Sequence, residues 1–212
     1  MHRFAIGLAL ISSAAFAGSF TIDDFSVNQG PITSATAPNT VSSGVLAIGG
    51  GVTRELTLNT LTLVAPPEFT VQVTAGILDV TNGSGDDSQV VVTYVIPALP
   101  IPAGASNVAF FLEIVQSDGN PTQVALGGTA GATGNFNIPP NTNMQVVPFP
   151  VAGVSFGPGT LTLTFDGADG WDLSADSLGV QWTDRTNVPE PGSALLLGLG
   201  LVTAAFLRRR RA

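Results

Sequence analysis

The chain contains no cysteine, so neither disulfide bridges nor thiolate chemistry are open to it. Lysine is absent as well, and the single histidine is His2, at the extreme N-terminus. Beyond that residue a Ser-His-Asp triad, a Cys-His pair and every histidine-bound metal are excluded. A phosphate-cradling loop is missing too, because Gly49-Gly50-Gly51 is followed by no Lys-Ser/Thr pair and opens a strand-like run. Cations are scarce: between Gly18 and Asn187 only Arg54 and Arg185 face fourteen Asp and Glu residues, a formal charge of −12. Such a surface repels phosphate backbones and has no basic patch to release counterions, which excludes nucleic-acid partners. No stretch of the middle segment has a helical period.

What is present begins with two handling signals at the ends. Met1-His2-Arg3, the apolar run Phe4–Ile11 and the small residues up to Ala15-Phe16-Ala17 form a signal peptide over residues 1–17. Ala15 and Ala17 supply the Ala-x-Ala cleavage site, so the secretion machinery is the first partner and the mature chain begins at Gly18. At the other end, residues 192–207 are apolar and are followed by Arg208, Arg209, Arg210 and Arg211. Sixteen residues make a helix of about 24 Å, short against a hydrocarbon core of about 30 Å, with arginine stems able to snorkel across part of the difference. Four cations at the end of the run pin it in the cytoplasm and leave the large domain outside. Pro189 and Pro191 hold the strip before the helix extended, with Glu190 presented between them.

Val188, Pro189, Glu190 and Pro191, the short apolar segment and the terminal arginine cluster together resemble the PEP-CTERM sorting signal over residues 188–212. The resemblance implies an exported protein of a Gram-negative bacterium, processed by a membrane enzyme of the exosortase type. It implies a transient inner-membrane anchor, then release or attachment at the cell surface, often where extracellular polysaccharide is made. It says nothing about the activity of the cargo.

The intervening segment, residues 18–187, is long enough to bury a real core as one domain. Its alternation has period two: Leu161, Leu163 and Phe165 against Thr160, Thr162 and Thr164; Phe69, Val71 and Val73; Val108, Phe110, Leu112 and Ile114 with Glu113 outward; Leu178, Val180 and Trp182. This pattern marks antiparallel sheets covered on one side. Turn signals at 82–87, 118–121, 139–141 and 157–159 separate further strands at 45–49, 52–64, 77–81, 88–96, 122–126, 132–138 and 144–149. The expected fold is all-β, an antiparallel sandwich of about ten strands with jelly-roll-like crossings, flanked by the N-terminal signal helix and the C-terminal transmembrane helix. A parallel solenoid would need a repeat, and none aligns. A bulge at Asn59-Thr60 is expected to return Leu61 and Leu63 to the core, residues 29–43 read as a long connection, and the segments 20–25 and 173–182 are expected to pair.

Chemistry is sparse. Most carboxylates fall in turns, so the domain reads as non-enzymatic, with no cofactor required. Asp166, Asp169, Asp172 and Asp176, with glycines between them, form the main cluster that could gather oxygen ligands for calcium, the alternative being an acidic surface turn; Asp86 and Asp87 with Asp79 are a second candidate. Trp171 lies in that turn and is the candidate glycan contact, whereas Trp182 continues an inward face. The reading is an exported acidic protein with a structural or adhesive role at the cell surface or in an extracellular polysaccharide matrix. A carbohydrate- or calcium-binding module is the alternative.

Overall fold

A computed structural model of the protein describes residues 18–64, 69–130, 134–151 and 157–183. The signal peptide, its cleavage site and the sorting tail with its apolar helix lie outside the described residues. Among those described, no helix is long and apolar enough to cross a membrane.

The strands are β1 (Gly18–Asp23), β2 (Gln29–Ile32), β3 (Asn39–Gly49), β4 (Val52–Thr62), β5 (Thr70–Thr74), β6 (Ile77–Thr81), β7 (Asp87–Ile96), β8 (Ser106–Ser117), β9 (Thr122–Gly127), β10 (Gly134–Ile138), β11 (Asn143–Pro150), β12 (Gly159–Gly167) and β13 (Leu173–Thr183). They form two sheets. Sheet A has seven strands in the order β11-β8-β13-β6-β5-β2, with β1 also on β13; sheet B has six, in the order β10-β9-β12-β7-β4-β3. Every pairing among them is antiparallel. From β6 onward the chain changes sheet at every connection except the β9–β10 hairpin, so each sheet is stitched from segments distant in sequence.

Alternation explains why the two sheets stack. In β4 and β7 every second residue is buried without interruption over most of the strand. Leu56, Leu58, Val90, Val92, Leu161, Leu163 and Phe165 of sheet B thereby meet Val71, Leu78, Phe110, Leu112, Leu178 and Val180 of sheet A in one core. Trp182 joins that core at 6% exposure, as its strand position predicts. The expected pairing of the first and last segments is present, with Gly18 opposite Trp182 and Phe20 opposite Val180. Gly49, Gly50 and Gly51 all take positive φ (108°, 57° and 78°) in the tight turn joining β3 to β4.

Two expectations change. The stretch 29–43 is not a plain connection: it contains β2 and the start of β3, and Gln29-Gly-Pro-Ile is too short to show an alternation. The irregularity in β4 falls between Thr60 and Thr62, one position later than the leucine spacing suggests. Thr60 therefore keeps the inward place and Leu61 stays 46% exposed.

The buried face also holds one ion pair. Arg54 on β4 is 0% exposed; its Nη1 donates to Asp23 Oδ2 at 2.6 Å, its Nε to Gln29 Oε1 at 2.8 Å and its Nη2 to the Val27 carbonyl. Tyr94 Oη donates to the same Asp23 oxygen at 3.0 Å, and the Phe25 ring lies 5.6 Å beneath the guanidinium. Burial, followed by the Asp23 charge, holds the Tyr94 hydroxyl well above its ordinary pKa, with Arg54 opposing. The network joins β1 of one sheet to β4 and β7 of the other with all three guanidinium nitrogens donating, as a buried charge requires.

Candidate functional site

The inward positions of sheet B along β4 and β7 are mostly apolar and all buried, so its outward positions carry what the sheet presents to solvent. Period two places Thr53, Glu55, Thr57 and Asn59 of β4 on the outer face, and Gln89, Val91, Thr93 and Val95 of β7 beside them. From β12 come Thr160, Thr162, Thr164 and Asp166. Among the described residues this face carries no aromatic ring.

Register turns these residues into rows. Thr40, Asn59, Gln89, Asp166, Gln123 and Asn137 are successive cross-strand partners through all six strands. Four of them are joined in one direction: Thr40 Oγ1 donates to Asn59 Oδ1 (2.9 Å), Asn59 Nδ2 to Gln89 Oε1 (3.3 Å) and Gln89 Nε2 to Asp166 Oδ2 (3.2 Å). The relay ends on the carboxylate and fixes three amide and hydroxyl groups in orientation. Beyond Asp166 the row opens into a cleft of about 590 Å³, walled by Pro121, Pro139 and Pro140 and floored by Gln123, Asn137 and Asp166. The next row, Ser42-Thr57-Val91-Thr164-Ala125-Asn135, runs parallel to it. Fixed amides, hydroxyls and one carboxylate in a row on one sheet face are suited to hydrogen-bonding a polyhydroxylated chain.

The residues singled out in the sequence do not meet. Asp166 is on the outer face of sheet B. Asp169 is exposed in the β12–β13 turn, where its backbone carbonyl accepts from Asn120 Nδ2 at 3.3 Å. Asp172 is half-buried and accepts from the Asn82 backbone N–H at 2.8 Å; burial raises its pKa, and the charges of Asp118 and Asp79 add to the effect. Those three acids border a hollow of about 210 Å³ between β6, β8 and β13. Asp176 emerges beside Glu113 on the outer face of sheet A, on the far side of the sandwich from Asp166, and its pKa is raised by burial and then by Glu113. Among the described residues no three acids converge with the geometry of a metal site.

Trp171 is corrected. It is 0% exposed, its Nε1 donates to the Ser88 carbonyl at 3.0 Å, and its own carbonyl accepts from Asn82 Nδ2. The glycine-rich turn folds the ring inward over Gly167, where an added Cβ would lie 2.5 Å from Trp171 Cγ. The ring closes the end of the core and offers no face to a sugar. The polar row escaped the sequence reading because each member is an ordinary outward residue of its own strand. Only the Asn59 and Gln89 amides at outward positions of strong strands could have hinted at it.

Residues 187–211 match the family described as the PEP-CTERM protein-sorting motif. The chain therefore carries the signature of an exosortase substrate, and the motif supports export and sorting to the cell surface. No curated protein matches. Among solved structures, the chain is similar to a mutant of a family 29 carbohydrate-binding module (13% identity, 65% of this chain and 93% of that one, TM-score 0.34). It is similar also to TmCBM61 in complex with β-1,4-galactotriose (12% identity, 55% and 89%, TM-score 0.31). A third is a family 11 carbohydrate-binding module from Clostridium thermocellum in complex with a β-1,3-1,4-mixed-linked tetrasaccharide (11% identity, 80% and 98%, TM-score 0.33).

Proposed function

We propose that the protein is an exported, non-catalytic module of the cell surface or extracellular matrix that binds an extended, uncharged polysaccharide along the outer face of sheet B. The observation that carries this reading is the polar row through all six strands, with its one-directional relay from Thr40 to Asp166. Five inter-strand steps of about 4.8 Å give a track of roughly 24 Å, long enough for several sugar units. Groups already held by their neighbours lose little freedom on binding.

Charge selects the ligand class. Arg54 is the sole cation among the described residues and it is 0% exposed, so nothing on the described surface can pair with a uronate or sulfate. Polysaccharides bearing those groups are repelled, and neutral ones are admitted. The adhesive or structural role follows from holding such a chain while the sorting tail anchors the protein transiently in the inner membrane and delivers it to the surface.

Affinity electrophoresis of the purified protein through gels containing neutral glucans, galactans or mannans, with alginate as the acidic control, tests the reading. Retardation by at least one neutral polymer and none by alginate is expected. Free migration through every neutral gel would instead favour a protein-contacting structural role.

A further inference from the structure

Gly18 and Thr183, the first and last of the described residues, lie at one pole of the sandwich. Gly18 is the partner of Trp182 and fits so closely that an added Cβ would lie 2.5 Å from the indole. Thr183 is held by β8: its Oγ1 donates to the Ser106 carbonyl at 2.9 Å, lies 2.8 Å from Ser106 Oγ and accepts from Asn107 Nδ2 at 3.1 Å. β13 is an interior strand, with β8 on one edge and β1 on the other. The tail therefore departs from a fixed point. Only residues 184–188 separate Thr183 from Pro189 of the sorting motif, and the six steps between them reach at most about 22 Å. Six strand positions at about 4.8 Å, β1 and β6 sharing one edge of β13, make sheet A about 24 Å across, slightly more than that reach. An enzyme engaging Pro189-Glu190-Pro191 therefore works within about 22 Å of the pole.

Charge is segregated along the same axis. The turns at the pole, residues 49–51, 97–105, 127–130 and 157–159, contain no charged side chain, and neither do residues 18–22. Asp79, Asp86, Asp87, Asp118, Asp166, Asp169 and Asp172 all cluster toward the opposite end, where β13 begins beside Ser117 and Val80. In so acidic a domain, an end whose described turns are uncharged, followed in sequence only by the opposed pair Asp184 and Arg185, can approach a membrane surface of negative potential without net repulsion. That end also holds an unfilled donor, since Trp182 Nε1 is buried with no acceptor among the described residues.

We propose that this pole, with Ser19 and Phe20 on β1, Asn107 on β8 and Thr183 on β13, is a docking surface for the membrane enzyme that processes the sorting motif. The enzyme reads the folded domain and the tripeptide together, at a spacing set by residues 184–188. The proposal rests on the sorting motif and does not depend on polysaccharide binding.

Pulse-chase conversion of the full-length protein in its own host, read by intact mass, tests it. Ser19→Glu and Asn107→Asp place charge on the pole, Gln116→Glu places it at the distal end, and a ten-residue Gly-Ser insertion after residue 186 lengthens the spacer. Melting temperatures of the purified variants ensure that only folded ones are compared. Tail removal several-fold slower in the pole variants and in the insertion, with Gln116→Glu at the native rate, is the expected result. If the insertion leaves the native pole at full rate and rescues the charged poles, repulsion by lipid headgroups is the cause and the docking surface is overturned. Equal rates in all variants would overturn it too.

Discussion

Asp23 and Arg54 meet at 2.6 Å with both side chains almost wholly out of water, one from β1 of sheet A and one from β4 of sheet B. This is the ion pair that ties the N-terminal strand to the opposite sheet. Removing only the cation leaves a buried carboxylate without its partner. Arg54→Met is therefore expected to lower the unfolding free energy by about 3–5 kcal/mol, measured by urea denaturation. Combining it with Asp23→Leu is expected to recover much of that loss, because no uncompensated charge then remains.

The polar row should be measurable in binding. Gln89→Ala breaks the relay at its centre, and Asp166→Ala removes its terminus beside the cleft. Each is expected to weaken affinity for a retained neutral polysaccharide by about tenfold, the worth of one well-placed hydrogen bond. Gln72→Ala, on the outer face of sheet A, should leave affinity unchanged. Isothermal titration with a soluble oligosaccharide of the retained polymer reads all three.

Trp171 separates a core role from a ligand role. Trp171→Ala is expected to cost about 3–5 kcal/mol of stability, since the ring is fully buried and Ser88 loses its donor. At a temperature where the variant remains folded, polysaccharide affinity should equal that of the native protein. A selective loss of affinity with unchanged melting would contradict the buried placement.

Asp87, Asp172 and Asp176 all have pKa values above the ordinary carboxylate value, because burial disfavours their charged forms and nearby acids add to it. For such groups the stabilising contribution is complete below the unfolded value, about 3.9, and is lost as pH rises through the folded value. Asp176→Asn is thus expected to melt higher than the native protein at pH 7. The advantage should shrink as pH falls and vanish near pH 3. Thermal scans across that range check the sign.

Gly179 and Phe111 are cross-strand partners on the outer face of sheet A. A Cβ on Gly179 would lie 2.3 Å from Phe111 Cζ and 2.9 Å from the Phe20 carbonyl oxygen. The ring can swing aside, but the backbone oxygen cannot. Gly179→Ala is expected to destabilise by about 1–3 kcal/mol, and adding Phe111→Ala should relieve only part of it.

The pairing of the opening and closing segments was expected from their places at the two ends of a sandwich, and it is found between residues 18–23 and 178–182; the alternation of the first segment is too weak to show it. The leucines of β4 misled by one place, since a polar Thr60 can take an inward position while Leu61 is left in solvent. Trp171 misled for a different reason: an acidic, glycine-rich turn looks exposed, but its ring finds an acceptor, Ser88, eighty-three residues away. The buried role of Arg54 could not be read either, because its partners Asp23, Val27 and Gln29 lie 25 to 31 residues away along the chain.

The sorting tail, the absence of thiol and imidazole chemistry, the acidic charge and the antiparallel sandwich were all fixed by composition and short-range pattern. Those are properties of neighbours in the chain, which a linear reading sees directly. Which acids stand together, which aromatic is hidden and which polar residues line up across six strands were decided by the tertiary fold. Register between segments tens of residues apart depends on pairing and core packing, and a shift of one residue would send every side chain of a strand to the other face.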